Sequence, residues 1–290
     1  MNNEINNILK KVFKSKNNLK RQVLQISFGI ICEKIKTVNN DEFIIKYYKN
    51  YNNYYNFNAI KAEAFALIYL EKNKYTIFPK VKYFNNKILI IEYIKHNKKI
   101  SNLKKSNFLD ILIKLHKKKS KKFGFVFDTQ IGGMKQPNDQ TANWVDFFCK
   151  NRLINVYDAI CKNDPMPKEI NTKIESLIKN INNYIPKNVT PSLLHGDMWE
   201  GNILFNNNKV IGLIDPGIFF GHNEMELAYL RFFNFINKKF VNDYNNFIKI
   251  DTEYYLYEPV YQLYYALLNV HLWSYKYVKN TYKLLNQLKV

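Results

Sequence analysis

Four polar residues in one stretch of the chain have the types and the order that phosphoryl transfer requires. His195 and Asp197 flank a glycine, Asn202 comes five residues after Asp197, and Asp215 comes thirteen residues after Asn202. Phosphoryl transfer needs a carboxylate that orients the attacking hydroxyl and accepts its proton, and oxygen ligands for the Mg²⁺ ions that offset the phosphate charge. We therefore predict Asp197 as the catalytic residue and Asn202 and Asp215 as metal ligands.

The spacing of these residues supports the assignment. A tight loop would return the side chain of Asn202 to Asp197, and a strand pair after the loop would deliver Asp215 to the same place. The pattern H-x-D-x-x-x-x-N, followed by an apolar strand that ends in Asp, is the catalytic-loop signature of kinase-like folds. The alternative is that residues 195–197 form a turn that caps a helix and that Asp215 is an ordinary residue at the end of a strand. The order and separation of all the residues together favour catalysis.

An upstream lysine and glutamate fit the ion pair that holds the α- and β-phosphates in kinases. Lys46 lies near the end of a strand-like run, Glu42–Tyr48, and Glu63 lies on a predicted helix, Ala59–Lys72. Most strand-end lysines in so lysine-rich a chain are simply solvated. The order of Lys46 before Glu63 favours the pair.

The sequence around Asp197 also resembles one family, the fructosamine (ketosamine) kinases. The string HGDMWEGN contains Trp199, which the related aminoglycoside and choline kinases rarely share. The run DPGIFFGHNEMELA, which starts at Asp215, is similar to the metal-binding segment of the same family. Lys46 and Glu63 also match the positions of the family's ion pair. Further similar segments extend the resemblance over nearly the whole chain: Phe123–Phe125, Ile131–Gly132, Gln136–Asn138, Trp144–Arg152 and Glu258–Trp273.

The resemblance implies an ATP-dependent kinase that uses Mg²⁺. Its acceptor would be the O3 hydroxyl of a ketosamine, a sugar joined to an amine that is free or on a protein lysine. Phosphorylation at O3 makes the adduct labile, so the implied role is the repair of glycated amines. The segment Glu92, Tyr93 and Ile94 resembles the one that joins the lobes and whose backbone hydrogen-bonds the adenine.

Several residues near the motif have less specific roles. Trp199 offers a flat apolar face to the sugar or to the group on its amine, or is an ordinary core tryptophan. We expect His195 to support the loop by hydrogen bonding, because Asp197 already serves as the base. His222 and Glu224 would line the substrate pocket or brace the metal loop, and bracing is preferred. Arg231 is expected to be a surface or ion-pair residue.

The phosphate loop departs from the usual kinase pattern. Kinases place several glycines over the phosphates so that backbone amides can approach closely. Here Ser27-Phe28-Gly29 provides one glycine, with Phe28 where another is expected. This departure concerns how the phosphates are held more than whether transfer takes place.

Hydrophobic periodicity predicts an α+β protein with two lobes, and the motif and the resemblance imply that its fold is protein-kinase-like. Residues 1–94 would form a nucleotide-binding lobe, a small five-stranded antiparallel sheet with one helix, Ala59–Lys72. Residues 95–290 would form a larger, mostly helical catalytic and substrate-binding lobe after a polar connector at 95–101. The predicted strands are Val23–Val38 with a break at 27–29, Glu42–Tyr48, Ile77–Phe84 and Lys87–Ile94, with a β-rich island at Ser192–Ile218. The predicted helices of the second lobe are Phe108–Lys118, Asn143–Lys162, Lys168–Tyr184 and Glu258–Leu288.

Composition excludes several classes of protein. The 290 residues are 47% hydrophobic, which indicates a packed globule rather than a disordered chain. The three cysteines form no disulfide framework, and the N-terminus and the short apolar runs predict neither a signal peptide nor a membrane span. We expect a cytoplasmic protein without a membrane partner, and the oligomeric state is open.

The net charge of +20 would attract a polyanion such as ATP or nucleic acid. The basic residues are scattered, as expected of AT-rich codons, and no nucleic-acid motif accompanies them, so a nucleic-acid partner is not favoured. Two alternatives stay open. One is another small-molecule kinase of this fold, acting on an aminoglycoside, choline or homoserine. The other is a non-catalytic protein that binds nucleic acid through its charge.

Overall fold

A computed structural model describes residues 2–14, 19–49, 57–97, 107–163 and 165–290. Contacts group the chain into two compact units. The first unit contains residues 1–101, 130–135 and 203–216. The second contains residues 102–129, 136–202 and 217–290. The first unit thus takes in two later segments that the predicted lobe 1–94 does not include. The division into 1–94 and 95–290 stays a prediction, and residues 98–101 of the connector lie outside the described ranges.

The first unit is built on five strands. They are β1 (Lys20–Ser27), β2 (Ile30–Lys36), β3 (Glu42–Tyr48), β4 (Val81–Phe84) and β5 (Ile88–Glu92). All neighbours are antiparallel, in the order β1-β2-β3-β5-β4. Phe28 and Gly29, with φ of +50° and +72°, form the two-residue turn between β1 and β2, because positive φ at both positions matches the twist of the paired strands. The predicted five-stranded antiparallel sheet is confirmed.

Two helices belong to the described part of this unit, where the sequence predicted one. The predicted helix is α2 (Ala59–Lys72), which begins after Asn58, whose side-chain oxygen accepts a hydrogen bond from the backbone N–H of Lys61 at 2.9 Å. The additional helix is α1 (Asn2–Phe13), which buries Ile5 and Leu9 against Ile45 and Ile90 of the sheet. Its asparagine-rich sequence has little helix propensity, and burial of this apolar face offsets that deficit.

The second unit is mostly helical, as predicted. Its helices are α3 (Phe108–His116), α4 (Trp144–Phe148), α5 (Asn155–Asn163), α6 (Lys168–Lys179), α7 (Asn223–Phe232), α8 (Lys238–Asn245), α9 (Tyr254–Leu272) and α10 (Val278–Gln287). Among the described residues, none of the helices in either unit has the length and apolar character to cross a membrane.

The predicted helical stretches differ from these helices in three places. The stretch Lys168–Tyr184 ends as α-helix at Lys179 and is followed by a 3₁₀ turn over Ile181–Asn183. Cys149–Ile154 forms a π-helical segment between α4 and α5. The stretch Glu258–Leu288 is divided, because Ser274 interrupts it and its side chain accepts a hydrogen bond from the backbone N–H of Lys276. Helices α7 and α8 lie outside the helical stretches that periodicity predicted.

The described chain also contains short strands, and the last four of them surround the predicted motif in sequence. They are β6 (Thr129–Ile131), β7 (Met134–Gln136), β8 (Ser192–Leu194), β9 (Ile203–Asn206), β10 (Lys209–Leu213) and β11 (Phe219–Gly221). In the second unit β8 pairs with β11, and in the first unit β9 pairs with β10 around Asn207 and Asn208, both at positive φ. The β-rich island of the sequence is therefore two separate strand pairs.

Candidate active site

The loop after β8 holds Asp197 and Asn202 together in the second unit. The side-chain amide nitrogen of Asn202 donates to the backbone oxygen of Asp197 at 2.8 Å and to its carboxylate Oδ2 at 3.0 Å. A turn of 3₁₀ helix over Glu200–Asn202 brings the asparagine back. Both amide hydrogens of Asn202 can thus serve Asp197, which leaves the amide oxygen as the atom that can bind a cation.

His195 is buried at the start of this loop, and its Nδ1 accepts a hydrogen bond from the backbone N–H of Asp197 at 3.2 Å. This contact fits the predicted supporting role. Gly196 follows with φ of +85°, and it packs directly on Gly217. A Cβ atom on Gly196 would lie 2.7 Å from the carbonyl carbon of Gly217 and closer still to its oxygen. The motif therefore needs glycine here for both its backbone conformation and its lack of a side chain.

Glu226 on α7 anchors the loop, and sequence reasoning missed it. Its carboxylate accepts hydrogen bonds from the backbone N–H groups of His195, at 3.2 Å, and Gly196, at 2.8 Å, and from Nε2 of His116, at 2.9 Å. Burial works against the charged form of Glu226, but the hydrogen bond and charge of His116 hold its pKa below the usual range. The EMELA segment contained the signal, but nothing in its spacing shows which of its two glutamates contacts the loop.

Glu224, the glutamate that was predicted to brace the loop, has other partners. Its carboxylate accepts hydrogen bonds from the Tyr257 hydroxyl and from the backbone N–H of Asp251. Burial raises the pKa of Glu224 to about 7. His222 is also buried and contacts the Tyr261 hydroxyl through Nδ1 at 2.9 Å, and burial lowers its pKa to about 3. The enclosure of His222 favours bracing over substrate contact.

Trp199 is half-buried and packs against Phe233, with ring centroids 6.1 Å apart. Its indole also covers Gly201, where a Cβ atom would lie 2.5 Å from Cζ2. The side chain is thus neither a fully buried core residue nor freely exposed. Arg231 forms an ion pair with Glu258, as expected of an ion-pair residue.

Tyr229, which the sequence analysis did not single out, contacts the predicted base directly. Its hydroxyl donates to Oδ1 of Asp197 at 3.2 Å, across 32 residues of sequence. The sequence carries no signal for this contact, because nothing in the spacing links α7 to the Asp197 side chain.

In the first unit, the structure brings together Lys46, Glu63 and Asp215. Nζ of Lys46 lies 2.7 Å from Oε1 of Glu63 and 2.5 Å from Oδ1 of Asp215. Burial disfavours the charge of Lys46, but the two carboxylates outweigh it and hold its pKa above the usual range. Asp215 has φ of +55° after β10, an uncommon conformation for a residue other than glycine.

The predicted adenine-binding segment continues from β5. The backbone N–H groups of Glu92 and Tyr93 donate to the carbonyls of Lys80, at 3.0 Å, and Glu42, at 3.3 Å. The side chain of Ile94 lies against β10, where a Cβ atom on Gly212 would be 2.7 Å from Cδ1 of Ile94. The backbone N–H groups of Glu92 and Tyr93 are therefore already hydrogen-bonded within the sheet, and Ile94 is the next residue along the chain.

Relatives of this chain are named as ketoamine kinases or ribulosamine kinases. A probable ketoamine kinase of Enterococcus faecium is 29% identical over 170 residues, which cover 57% of this chain and 60% of that protein. A chloroplastic protein-ribulosamine 3-kinase of Oryza sativa subsp. japonica is 37% identical over 120 residues, which cover 40% of this chain and 35% of that protein. The matched stretches thus span less than two thirds of these relatives.

Solved structures confirm the predicted protein-kinase-like fold. A candidate fructosamine-3-kinase from Thermobifida fusca matches with a TM-score of 0.85 at 19% identity, covering 99% of both chains. An ADP-bound aminoglycoside phosphotransferase matches with a TM-score of 0.65 at 19% identity, covering 99% of this chain and 98% of its own. The model of the fructosamine kinase family matches residues 1–290. The chain therefore belongs to the fructosamine kinase family.

Proposed function

We propose that this protein is an ATP-dependent kinase that phosphorylates the O3 hydroxyl of a ketosamine, in the cytoplasm. The reaction is ATP + ketosamine → ADP + phosphoketosamine. The observation that carries the proposal is the pairing of Asp197 with Asn202 in a chain that also pairs Lys46 with Glu63 and Asp215. Family membership supports the acceptor class. The acceptor's amine would be free or on a protein lysine.

Asp197 acts on the acceptor. Its carboxylate orients the sugar hydroxyl and takes the proton as the hydroxyl oxygen forms its bond to the γ-phosphorus. The bond from that phosphorus to the bridging oxygen breaks, and the electron pair leaves with ADP. Asp197 is half-buried, so a sugar hydroxyl can approach it while its two bonded neighbours restrict its rotation.

Lys46 acts on the nucleotide. Because Glu63 and Asp215 keep Lys46 charged, it serves as a permanent cation for the α- and β-phosphates. The pair with Glu63 is almost fully enclosed, which restricts where the ammonium group can go. For adenine, Ile94 is the best candidate of the three predicted residues, since the amides of Glu92 and Tyr93 already have partners.

Asn202 and Asp215 fit Mg²⁺ by the chemistry of their donors. Mg²⁺ prefers oxygen ligands and in kinases is held by one or two side chains together with the substrate phosphates. Asn202 has a side-chain oxygen to offer, because its nitrogen is engaged by Asp197, and the Asp215 carboxylate is 36% exposed. The ion would offset phosphate charge when bound.

The test is an ADP-release assay across fructosamines, ribulosamines and erythrulosamines, with an aminoglycoside, choline and homoserine as competing acceptors. Wild-type protein should turn over at least one ketosamine, and Asp197→Asn should lower kcat by about 10²- to 10⁴-fold, the usual contribution of a positioned base. Asp243→Asn is the matched control, because Asp243 pairs with Lys239 on the exposed face of α8, away from the loop. Full turnover by Asp197→Asn would refute the mechanism. ADP release with a competing acceptor alone would refute the substrate class.

A further inference from the structure

Both oxygens of the Asp197 carboxylate have a donor. Oδ2 accepts from Asn202 at 3.0 Å, within the loop itself. Oδ1 accepts from the Tyr229 hydroxyl at 3.2 Å, from α7. A carboxylate held at one oxygen can still turn about its Cβ–Cγ bond, whereas one held at both oxygens presents its remaining lone pairs in fixed directions.

The ring of Tyr229 is itself held in place. It stacks on Tyr265 of α9 with ring centroids 3.7 Å apart and an interplanar angle of 6°. Phe233, the residue directly after α7, also contacts it, with ring centroids 5.5 Å apart. Tyr229 is only 6% exposed, so water has little access to compete for its hydroxyl. The direction of the phenol group is therefore set by packing.

Helix α7 holds the catalytic loop at two points. Glu226 accepts from the backbone of His195 and Gly196, and Tyr229, three residues later, donates to the side chain of Asp197. Residues three apart lie on the same face of a helix. One helical face thus positions both the loop backbone and the reacting carboxylate. Burial and the nearby charge of Asp197 raise the pKa of Tyr229 far above its usual range, so the phenol keeps its proton.

We propose that Tyr229 is a positioning residue for phosphoryl transfer, which orients the Asp197 carboxylate toward the acceptor hydroxyl through its phenolic hydrogen bond. The inference rests on the proposed kinase function. Its physical basis is that a base must already point at the proton that it accepts, since a small misplacement of a reacting group lowers the rate strongly. Tyr229 does not bind nucleotide in this proposal, so its loss should affect kcat and leave the KM for ATP unchanged.

The experiment compares Tyr229→Phe with Tyr157→Phe. The Tyr157 hydroxyl also donates to a carboxylate, Glu175 at 3.1 Å, and Tyr157 is 7% exposed, so the control removes the same kind of hydrogen bond with similar burial. Tyr229→Phe should lower kcat by about tenfold, which corresponds to the roughly 1.4 kcal/mol at the lower end for a hydrogen bond to a charged group. The KM for ATP should stay within about twofold. Equal kcat values for the two variants, or a raised KM for ATP with kcat unchanged, would overturn the inference.

A second readout does not depend on turnover. Urea midpoints of wild type, Tyr229→Phe, Asp197→Ala and the double variant form a double-mutant cycle. The losses in unfolding free energy of the two single variants should not add in the double variant, because either change removes the same contact. The losses of Tyr157→Phe and Asp197→Ala, which share no contact, should add. Additive losses for Tyr229 and Asp197 would overturn the inference. If wild-type protein turned over no ketosamine, the proposed function would fail, and this cycle would still decide whether Tyr229 holds the carboxylate.

Discussion

Replacing Gly196 by alanine tests how closely the catalytic loop depends on its contact with the segment after Asp215. The substitution adds one methyl group, at a residue with φ of +85°. That methyl group would point at the Gly217 carbonyl, whose oxygen accepts a hydrogen bond from the buried side-chain amide of Gln136 at 2.8 Å. The backbone N–H of Gly217 in turn donates to the carbonyl of His195 at 2.9 Å. The carbonyl cannot move away without breaking these bonds.

The expected loss of stability has three parts. The left-handed backbone conformation costs alanine about 1 to 2 kcal/mol. Gln136 would keep its hydrogen bond to the Thr129 hydroxyl, but its second amide hydrogen would be left buried without an acceptor, which costs about 1 to 3 kcal/mol. The hydrogen bond between Gly217 and His195 contributes about 0.5 to 1.5 kcal/mol. Together, Gly196→Ala should lower the free energy of unfolding by about 2.5 to 6.5 kcal/mol, a large share of the usual total.

The matched control is Gly29→Ala. Gly29 has φ of +72°, and a Cβ atom there would meet nothing within 4 Å, so the variant pays the backbone cost alone, about 1 to 2 kcal/mol. Urea unfolding, monitored by tryptophan fluorescence and by circular dichroism, would give the loss of stability of each variant. Agreement between the two probes would show whether the units unfold together. If Gly196→Ala lost no more stability than Gly29→Ala, the close packing on Gly217 would not constrain the loop, and the reasoning would be refuted.

Two further predictions concern buried glutamates. Burial raises the pKa of Glu224 to about 7 from 4.5, so the folded protein keeps a proton that the unfolded chain releases between these values, and stability falls as the pH rises through that window. Glu224→Gln does not titrate and serves as the reference. Between pH 4.5 and pH 8, the free energy of unfolding of wild type, measured in urea, should fall by about 3 kcal/mol relative to that variant. A difference between the two proteins that stays constant over this pH range would contradict the prediction. Glu63→Gln should raise the KM for ATP at least about tenfold and leave the acceptor KM unchanged, because Lys46 loses one of its two carboxylates. Steady-state kinetics with each substrate varied would check this, and an unchanged KM for ATP would count against the assigned role of Lys46.

The parts of the fold that the sequence predicted well are those with strong local signals. Helix α2 has the predicted bounds, Ala59–Lys72, because alanine and leucine favour a helix throughout and Asn58 caps its start. Strand β3 likewise matches the predicted run Glu42–Tyr48, which is rich in β-branched and aromatic residues. Lys46 and Glu63 followed from these two elements, because each was placed correctly on its own strand or helix.

The misses have a different physical origin. Helix α1 depends on the sheet that covers Ile5 and Leu9, and its local sequence is poor in helix formers. The division after α9 depends on Ser274, whose capping hydrogen bond outweighs a helical periodicity that continues on both sides. In both cases the deciding interaction lies outside the pattern that was used for prediction.

The same distinction separates the two kinds of residue around Asp197. Asn202 was predictable because five residues of loop are enough to return its side chain, so spacing alone contains the information. Glu226 and Tyr229 reach the loop from α7, 30 and 32 residues away, and only the folded chain determines that distance. If the motif supplies the reacting atoms and α7 supplies their orientation, the two should respond differently to substitution. Changes to Asp197 or Asn202 should lower the rate of transfer by orders of magnitude, whereas changes on the inner face of α7 should have smaller, graded effects on that rate. Related kinases could then vary this face of the helix to tune the same motif.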